Sequence, residues 1–249
     1  MKSHVSALME LEAEPRTPES ATGVSFVDDG KNTIASQLMT RLREAIVSGA
    51  LPAGSKINLD QARAQFQVSL SPLREALARL IPSGLVLFED NRGYSVAPVS
   101  LANFEEIARL REYFECYALG EAMQRGDLRW EGEVMRALHL VNRTERDAAR
   151  PETLEKWEAA HRAFHLMLIA GCGMPILINF CSMLLNLNDR YRRTFLKRTS
   201  GDRNVMLEHS EIAQATVARD ADYACERLRE HLARTATNLN RHLMENGIV

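Results

Sequence analysis

Chain-breaking residues are scarce in this sequence. Only 13 glycines and 8 prolines occur among 249 residues, which argues against an architecture of many short strands and turns and leaves room for long helices. Cysteine is scarce too. The four, Cys116, Cys172, Cys181 and Cys225, fall outside CxxC spacing, so reduced and mostly buried thiols are expected. No run of about 18 apolar residues appears, which excludes a membrane-spanning helix. The formal net charge of −2 gives no excess of one sign, so any nucleic-acid surface has to be local. The opening stretch MKSHVSALMELEAEPRTPESATG lacks the apolar core of a secretion signal. Residues 1–30 read as a disordered tail, and a cytoplasmic protein is expected. What remains, 45% hydrophobic and 26% charged, suffices for two compact domains.

Helical periodicity fills most of that remainder. Ile34, Leu38, Leu42 and Ile46 recur at every fourth position and predict a helix over 33–48. SGALPAG breaks it, and a short helix is expected over 59–67. Ser71 as N-cap with Pro72 at the first helical position then opens a third helix to about Leu80. Pro82 and Gly84 close that helix, and LVLFED-NRG-YSVAPV reads as strand, turn, strand. Beyond Pro98 the pattern is helical throughout. Asn103 with Glu106 suggests a capping box opening a helix to about Met123. Further helices are expected near 130–147, 151–170, 175–197, 204–219 and 220–244. The fold class is therefore mainly α: a winged helix-turn-helix over 31–99, then an all-helical antiparallel bundle over 103–245.

Three helices followed by a hairpin is the layout in which the third helix enters the DNA major groove and the hairpin tip reaches a neighbouring groove. Residues 31–98 carry eight Lys and Arg against five Asp and Glu, a basic unit inside an acidic chain. The stretch VSLSPLREALARLIPSGLV, preceded by IVSGALPAGSKI and followed by NRGYSVAPVS, resembles the DNA-binding domain of the GntR family of bacterial regulators over residues 33–99. The resemblance implies that Ser69, Leu70, Ser71 and Arg74 at the start of the recognition helix, with Arg92 and Gly93 in the wing, face a double-stranded, palindromic operator. An arginine in the first turn can fork onto guanine O6 and N7. Serine hydroxyls and backbone N–H groups at a helix N-terminus suit phosphates. Two positions depart from the family pattern. Leu70 stands where an arginine is frequent and can meet only a thymine methyl, and Asp60 replaces an arginine or glutamate near the second helix. Protein contact alone is the other use of such a unit.

The later helices carry HRAFH, residues 161–165. His161 and His165 share a face with Trp157, Phe164 and Leu168. His209 lies at helical spacing from Met206 and Ile212. His231 shares a face with Ala224, Leu228, Thr235 and Leu239. A single histidine on an apolar face is usually core. Four on converging faces suit a divalent cation such as Zn²⁺ or Ni²⁺. Residues 103–242 resemble the FCD ligand-binding domain of the FadR subfamily, a helical bundle that often holds a metal. The resemblance carries over to His165, His209 and His231 directly, whereas His161 stands in place of the subfamily's usual aspartate. With His161 as ligand the shell is neutral, which favours a later divalent metal and an anionic effector.

Candidate effector contacts follow by charge and by the same resemblance. Arg111 lies on the inward stripe with Ile107, Phe114 and Ala118 and could clamp a carboxylate, or pair internally with Glu115. Tyr113 and Tyr117 line the pocket or merely pack. In DRYRRTFLKR, Tyr191 and Phe195 define the packed side, which places Arg192 and Arg193 in solvent and lets Arg190 turn inward. The function implied is a homodimeric repressor whose operator affinity is controlled by a small carboxylate or sugar acid at a metal-containing pocket. A purely structural metal with no effector is the alternative. A metal-dependent hydrolase is disfavoured because HRAFH lacks the glutamate of HExxH.

Overall fold

The structure, a computed structural model, describes residues 33–147, 150–195 and 204–248; the expected tail over 1–30 lies outside them. The first helix, α1 (Ile34–Val47), starts where Thr33 accepts a hydrogen bond from the Ser36 N–H, and buries Leu38, Leu42 and Ile46. Ile34, the outermost residue of that stripe, is exposed. α2 (Leu59–Phe66) is capped by Asn58 and stops at Gln67 in the left-handed region, φ 56°. α3 (Leu70–Leu80) buries Leu73, Ala76, Leu77 and Leu80, the i, i+3, i+4, i+7 face of an amphipathic helix. Its N-cap is Ser69, not Ser71. Ser71 and Pro72 fall inside the first turn, where a proline costs no intrahelical hydrogen bond.

The strands β1 (Val86–Glu89) and β2 (Gly93–Val96) pair antiparallel, Val86 opposite Val96 and Glu89 opposite Gly93. Asn91 and Gly93, φ 64° and 80°, turn the chain between them. The inward residues of α1–α3, Leu85, Val86 and Val96 form one apolar core.

Six further helices follow: α4 (Leu101–Arg125), α5 (Leu128–Arg143), α6 (Pro151–Ala170), α7 (Pro175–Phe195), α8 (Val205–Val217) and α9 (Ala221–Glu245). Ser100, rather than Asn103, caps α4 by accepting from the Asn103 N–H. α4 packs on α7 and α9, α5 on α6 and α8, and α8 on α9, enclosing a second core that includes Leu119, Trp130, Phe164, Leu168, Ile212 and Leu228. A third, smaller cluster of Phe104, Ile107, Tyr191, Leu239 and Leu243 sits where α4, α7 and α9 meet. No described helix is long and apolar enough to cross a membrane.

Candidate functional site

The four predicted histidines meet inside the bundle. His161 and His165 stand one turn apart on α6, His209 comes from α8 and His231 from α9, and all four are buried. Each offers one ring nitrogen to a group whose members all lie within 4.8 Å of one another. Ring centroids are 4.6 Å apart for His161–His165, 4.9 Å for His209–His231 and 5.2 Å for His165–His231.

Surrounding groups fix these rings. The indole of Trp157 stacks on His161 at 4.8 Å and an interplanar angle of 22°. Glu208 Oε2 lies 2.8 Å from Nδ1 of His231, and Glu115 Oε2 lies 3.4 Å from Nδ1 of His165. A proton on each Nδ1 facing its carboxylate puts the lone pair on Nε2, the arrangement that orients imidazoles on metals. Arg111 in turn holds Glu115 with two hydrogen bonds, 2.6 and 3.3 Å, and Arg234 holds Glu208 at 2.9 Å.

Burial drives the titration behaviour. It pushes His161 well below its ordinary value, with Arg192 and the neighbouring rings adding to the effect. It also lowers His165, against the opposing pull of Glu115. Burial alone would raise Glu115, but Arg111 and His165 outweigh it and hold the carboxyl at about 2. On α6 the site thus presents two neutral imidazoles, His161 and His165, the second backed by the ionised Glu115.

The donor set fits a divalent cation. Nδ1 of His161 and Nε2 of His165 are buried with no hydrogen-bond partner among the described residues, a costly state that an ion would relieve. Nitrogens around tetrahedral zinc lie about 3.3 Å apart, so the most widely separated pair would close by up to about 1.5 Å on binding. The adjoining cavity, about 30 Å³ and lined by Arg111, Arg146, Asn188 and Arg192 as well as the histidines, has room for little beyond an ion or a water.

Arg111 faces this cavity, but its charge is neutralised by Glu115, the internal pairing that the sequence left open. Tyr113 is 72% exposed and borders a separate surface groove with Arg109, Glu112, Tyr117 and Arg229, away from the histidines. Arg190 is buried but donates to the carbonyl of Ala97, also outside the cavity.

Arg192 is the clearest correction. Expected in solvent, it is 4% exposed, lines the cavity and forks between Glu158 and Asp189. Arg193 is mostly covered as well and pairs with Glu44 of α1 at 2.6 Å. Sequence reasoning missed Glu208, Glu158, Asp189 and Asn188.

On the N-terminal unit, Ser69, Ser71 and Arg74 are exposed at the start of α3, and Leu70 is half-buried. Arg74 makes no ion pair among the described residues, which leaves its guanidinium for a base edge or phosphate. Arg92, beside Gly93 at the wing tip, is exposed but pairs with Glu89 at 3.0 Å. Asp60, the second departure from the family pattern, sits 3.8 Å from Arg63 and offsets part of that face's charge.

Comparisons with known proteins match the two parts of the chain to two different families. The model of the gntR family of bacterial regulatory proteins matches residues 34–96, and that of the FCD domain matches residues 106–234. The chain is 35% identical to the HTH-type transcriptional regulator BphR of Paraburkholderia xenovorans LB400 over 87% of its length and 93% of the relative's. It is 31% identical to the HTH-type transcriptional repressor GlaR of Escherichia coli K12, over 77% and 89%. Among solved structures, E. coli McbR/YncC aligns with a TM-score of 0.71 at 20% identity, covering 84% of this chain and 98% of that one. A GntR regulator from Rhodococcus sp. RHA1 aligns at 0.66 with 24% identity, over 82% and 96%. These families and relatives are transcription regulators rather than enzymes. The chain belongs to the gntR family of bacterial regulatory proteins: it is a DNA-binding transcription regulator with a C-terminal FCD domain.

Proposed function

We propose that this protein is a homodimeric repressor that binds a palindromic operator and releases it when a small carboxylate or sugar acid enters a metal-containing pocket of the bundle. The observation that carries this reading is the convergence of four buried histidines from three helices within 4.8 Å. His161, His165, His209 and His231 would hold the ion, with zinc or nickel preferred by a shell of neutral nitrogens. When bound, the ion supplies a Lewis-acidic centre for a carboxylate oxygen.

The chain's own charges support an anionic effector. Arg111 is matched by Glu115, and Arg192 by Glu158 and Asp189. A divalent ion on four neutral rings therefore adds charge that no ligand residue cancels, and a buried excess of that kind favours an anion. Because the cavity is only about 30 Å³, a carboxylate larger than an ion enters only if the helices around it shift, and such a shift is what an effector needs to change operator affinity. The same small volume also favours the second reading, a structural ion with no effector. At the other end, Ser69, Ser71 and Arg74 of α3 and Arg92 and Gly93 of the wing are proposed to face the operator, with Leu70 against a thymine methyl.

Elemental analysis of the purified protein tests the reading. About one divalent ion per chain, lost in His165→Ala, is the expected result. No ion in any preparation, even after incubation with zinc or nickel, sinks the metal-sensor reading. Operator release by chelator but by no carboxylate or sugar acid selects the structural ion instead.

A further inference from the structure

One segment of α7 touches both halves of the molecule. Asn188 and Arg192, one helical turn apart, line the histidine cavity. Residues on the opposite face of the same two turns meet the DNA-binding unit. Leu187 packs into the core shared by α1, α3 and the wing, where its side chain comes within 3.6 Å of the position a Cβ on Gly84 would take. Arg190 donates to the carbonyl of Ala97, just after β2. Arg193 pairs with Glu44 of α1 at 2.6 Å. Tyr191, between these faces, accepts from the N–H of Ser100, the cap of α4, at 3.2 Å.

The cavity side of this segment is tied to the metal-ligand helix. Arg192 forks between Asp189 of its own helix and Glu158 of α6, three residues before His161. Its guanidinium also lies 5.5 Å from the centroid of Trp157, the ring stacked on His161. A shift of His161 toward an ion would carry Trp157 and Glu158 with it, because all three side chains stand on adjacent turns of α6. Arg192 cannot keep both carboxylates unless α7 follows. A hydrogen-bonded helix of this length moves as a unit, so displacement on one face appears on the other.

We infer that residues 187–195 of α7 couple the histidine cavity to the DNA-binding unit, with Arg192 and Arg193 as positioning residues on its two faces. The inference rests on the proposal that the histidines hold a metal, and it names the route by which that site is read. Cavity occupancy reaches α1 through the Glu158–Arg192 pair, the α7 backbone and the Arg193–Glu44 pair.

The test compares zinc-induced changes in backbone hydrogen exchange in the full-length protein after removal of metal. In the unsubstituted chain, zinc is expected to slow exchange in peptides carrying His161 and His165, and also in those carrying the C-terminal half of α1, by about fivefold or more. In Arg193→Gln the slowing around the histidines and the zinc affinity persist, while the response of α1 is lost. A charge-swapped pair, Glu44→Arg with Arg193→Glu, restores that response. Loss of stability alone would raise α1 exchange equally with and without zinc, so the difference between the two states separates coupling from packing. An α1 response unchanged in Arg193→Gln overturns the coupling while leaving the metal site standing. Failure of the unsubstituted chain to bind zinc overturns both.

Discussion

At the scale of single residues, histidine in place of the expected aspartate at position 161 changes the chemistry most. A neutral ring there removes the one negative charge that would have joined the ligand shell. His161→Ala is expected to lose or sharply weaken metal binding, read by elemental analysis. His161→Asp should keep the ion while shifting its preference toward earlier, harder metals, which competition between zinc and manganese would measure. Acid sensitivity follows from the same rings. Burial, aided by Arg192, holds His161 well below the ordinary 6.5, and burial lowers His165 too. The unfolded chain then takes up protons that the folded one refuses, so this stability is intact above about pH 6.5 and falls as the pH drops below it. Urea midpoints of the metal-stripped protein should decline from pH 7 to pH 5, and His161→Leu should flatten that slope. A midpoint constant over this range would mean the rings are not buried neutral. Glu115, held at about 2 by Arg111 and His165 against the effect of burial, adds a second loss between about pH 4.5 and 2 by the same linkage, now through a carboxylate that must be protonated.

At the scale of elements, most helices were legible because their apolar stripes face one side only. The starts were harder to read where two capping residues stand close together. Ser69 precedes Ser71 and Ser100 precedes Asn103, and the residue whose backbone is extended wins in each case. Arg192 was misread for a different reason. α7 contacts α1, α4, α6 and α9, so it has no broad solvent face, and a polar residue next to a buried tyrosine lands among other elements. The four histidines were legible because their faces were apolar, whereas the carboxylates orienting them were not, since each comes from another helix. Two glycines stand where the packing leaves no room for a side chain. A Cβ on Gly126 or Gly171 would collide with the ring of Trp130 between α4, α5 and α6. Gly126→Ala and Gly171→Ala are each expected to destabilise the bundle by about 1–3 kcal/mol in urea unfolding. On α3, Arg74→Ala should weaken operator binding by about 1–3 kcal/mol and relax preference at one base pair, because its guanidinium has no partner within the described protein. Leu70→Arg restores the family's frequent side chain and should move preference at its own position toward guanine, read by selection from a randomised operator library.

At the scale of the whole molecule, an acidic chain has to approach an acidic polymer through a small basic face. Eight Lys and Arg against five Asp and Glu over residues 31–98 give each chain a modest local excess. Several of those arginines are already matched: Arg79 to Glu75, Arg92 to Glu89 and Arg63, more loosely, to Asp60. One such unit offers few phosphate contacts, so a single chain should bind weakly and two joined units far better, which is the physical case for the proposed dimer on a palindrome. Operator affinity should then fall steeply with salt, by on the order of a thousandfold between 50 and 200 mM if the pair makes about six phosphate contacts. The effector argument belongs at this scale as well, because reciprocity binds the two ends of the molecule. If an anion lowers operator affinity by some factor, operator must lower the affinity for that anion by the same factor. Titrating citrate into zinc-loaded protein, with and without a selected operator, should give two citrate affinities in the ratio of the two operator affinities. Equal citrate affinities alongside a citrate-dependent operator affinity would violate linkage and point to chelation of zinc from the protein. Elemental analysis of the protein recovered from citrate separates that case, since chelation strips the zinc whereas a bound effector leaves it in place.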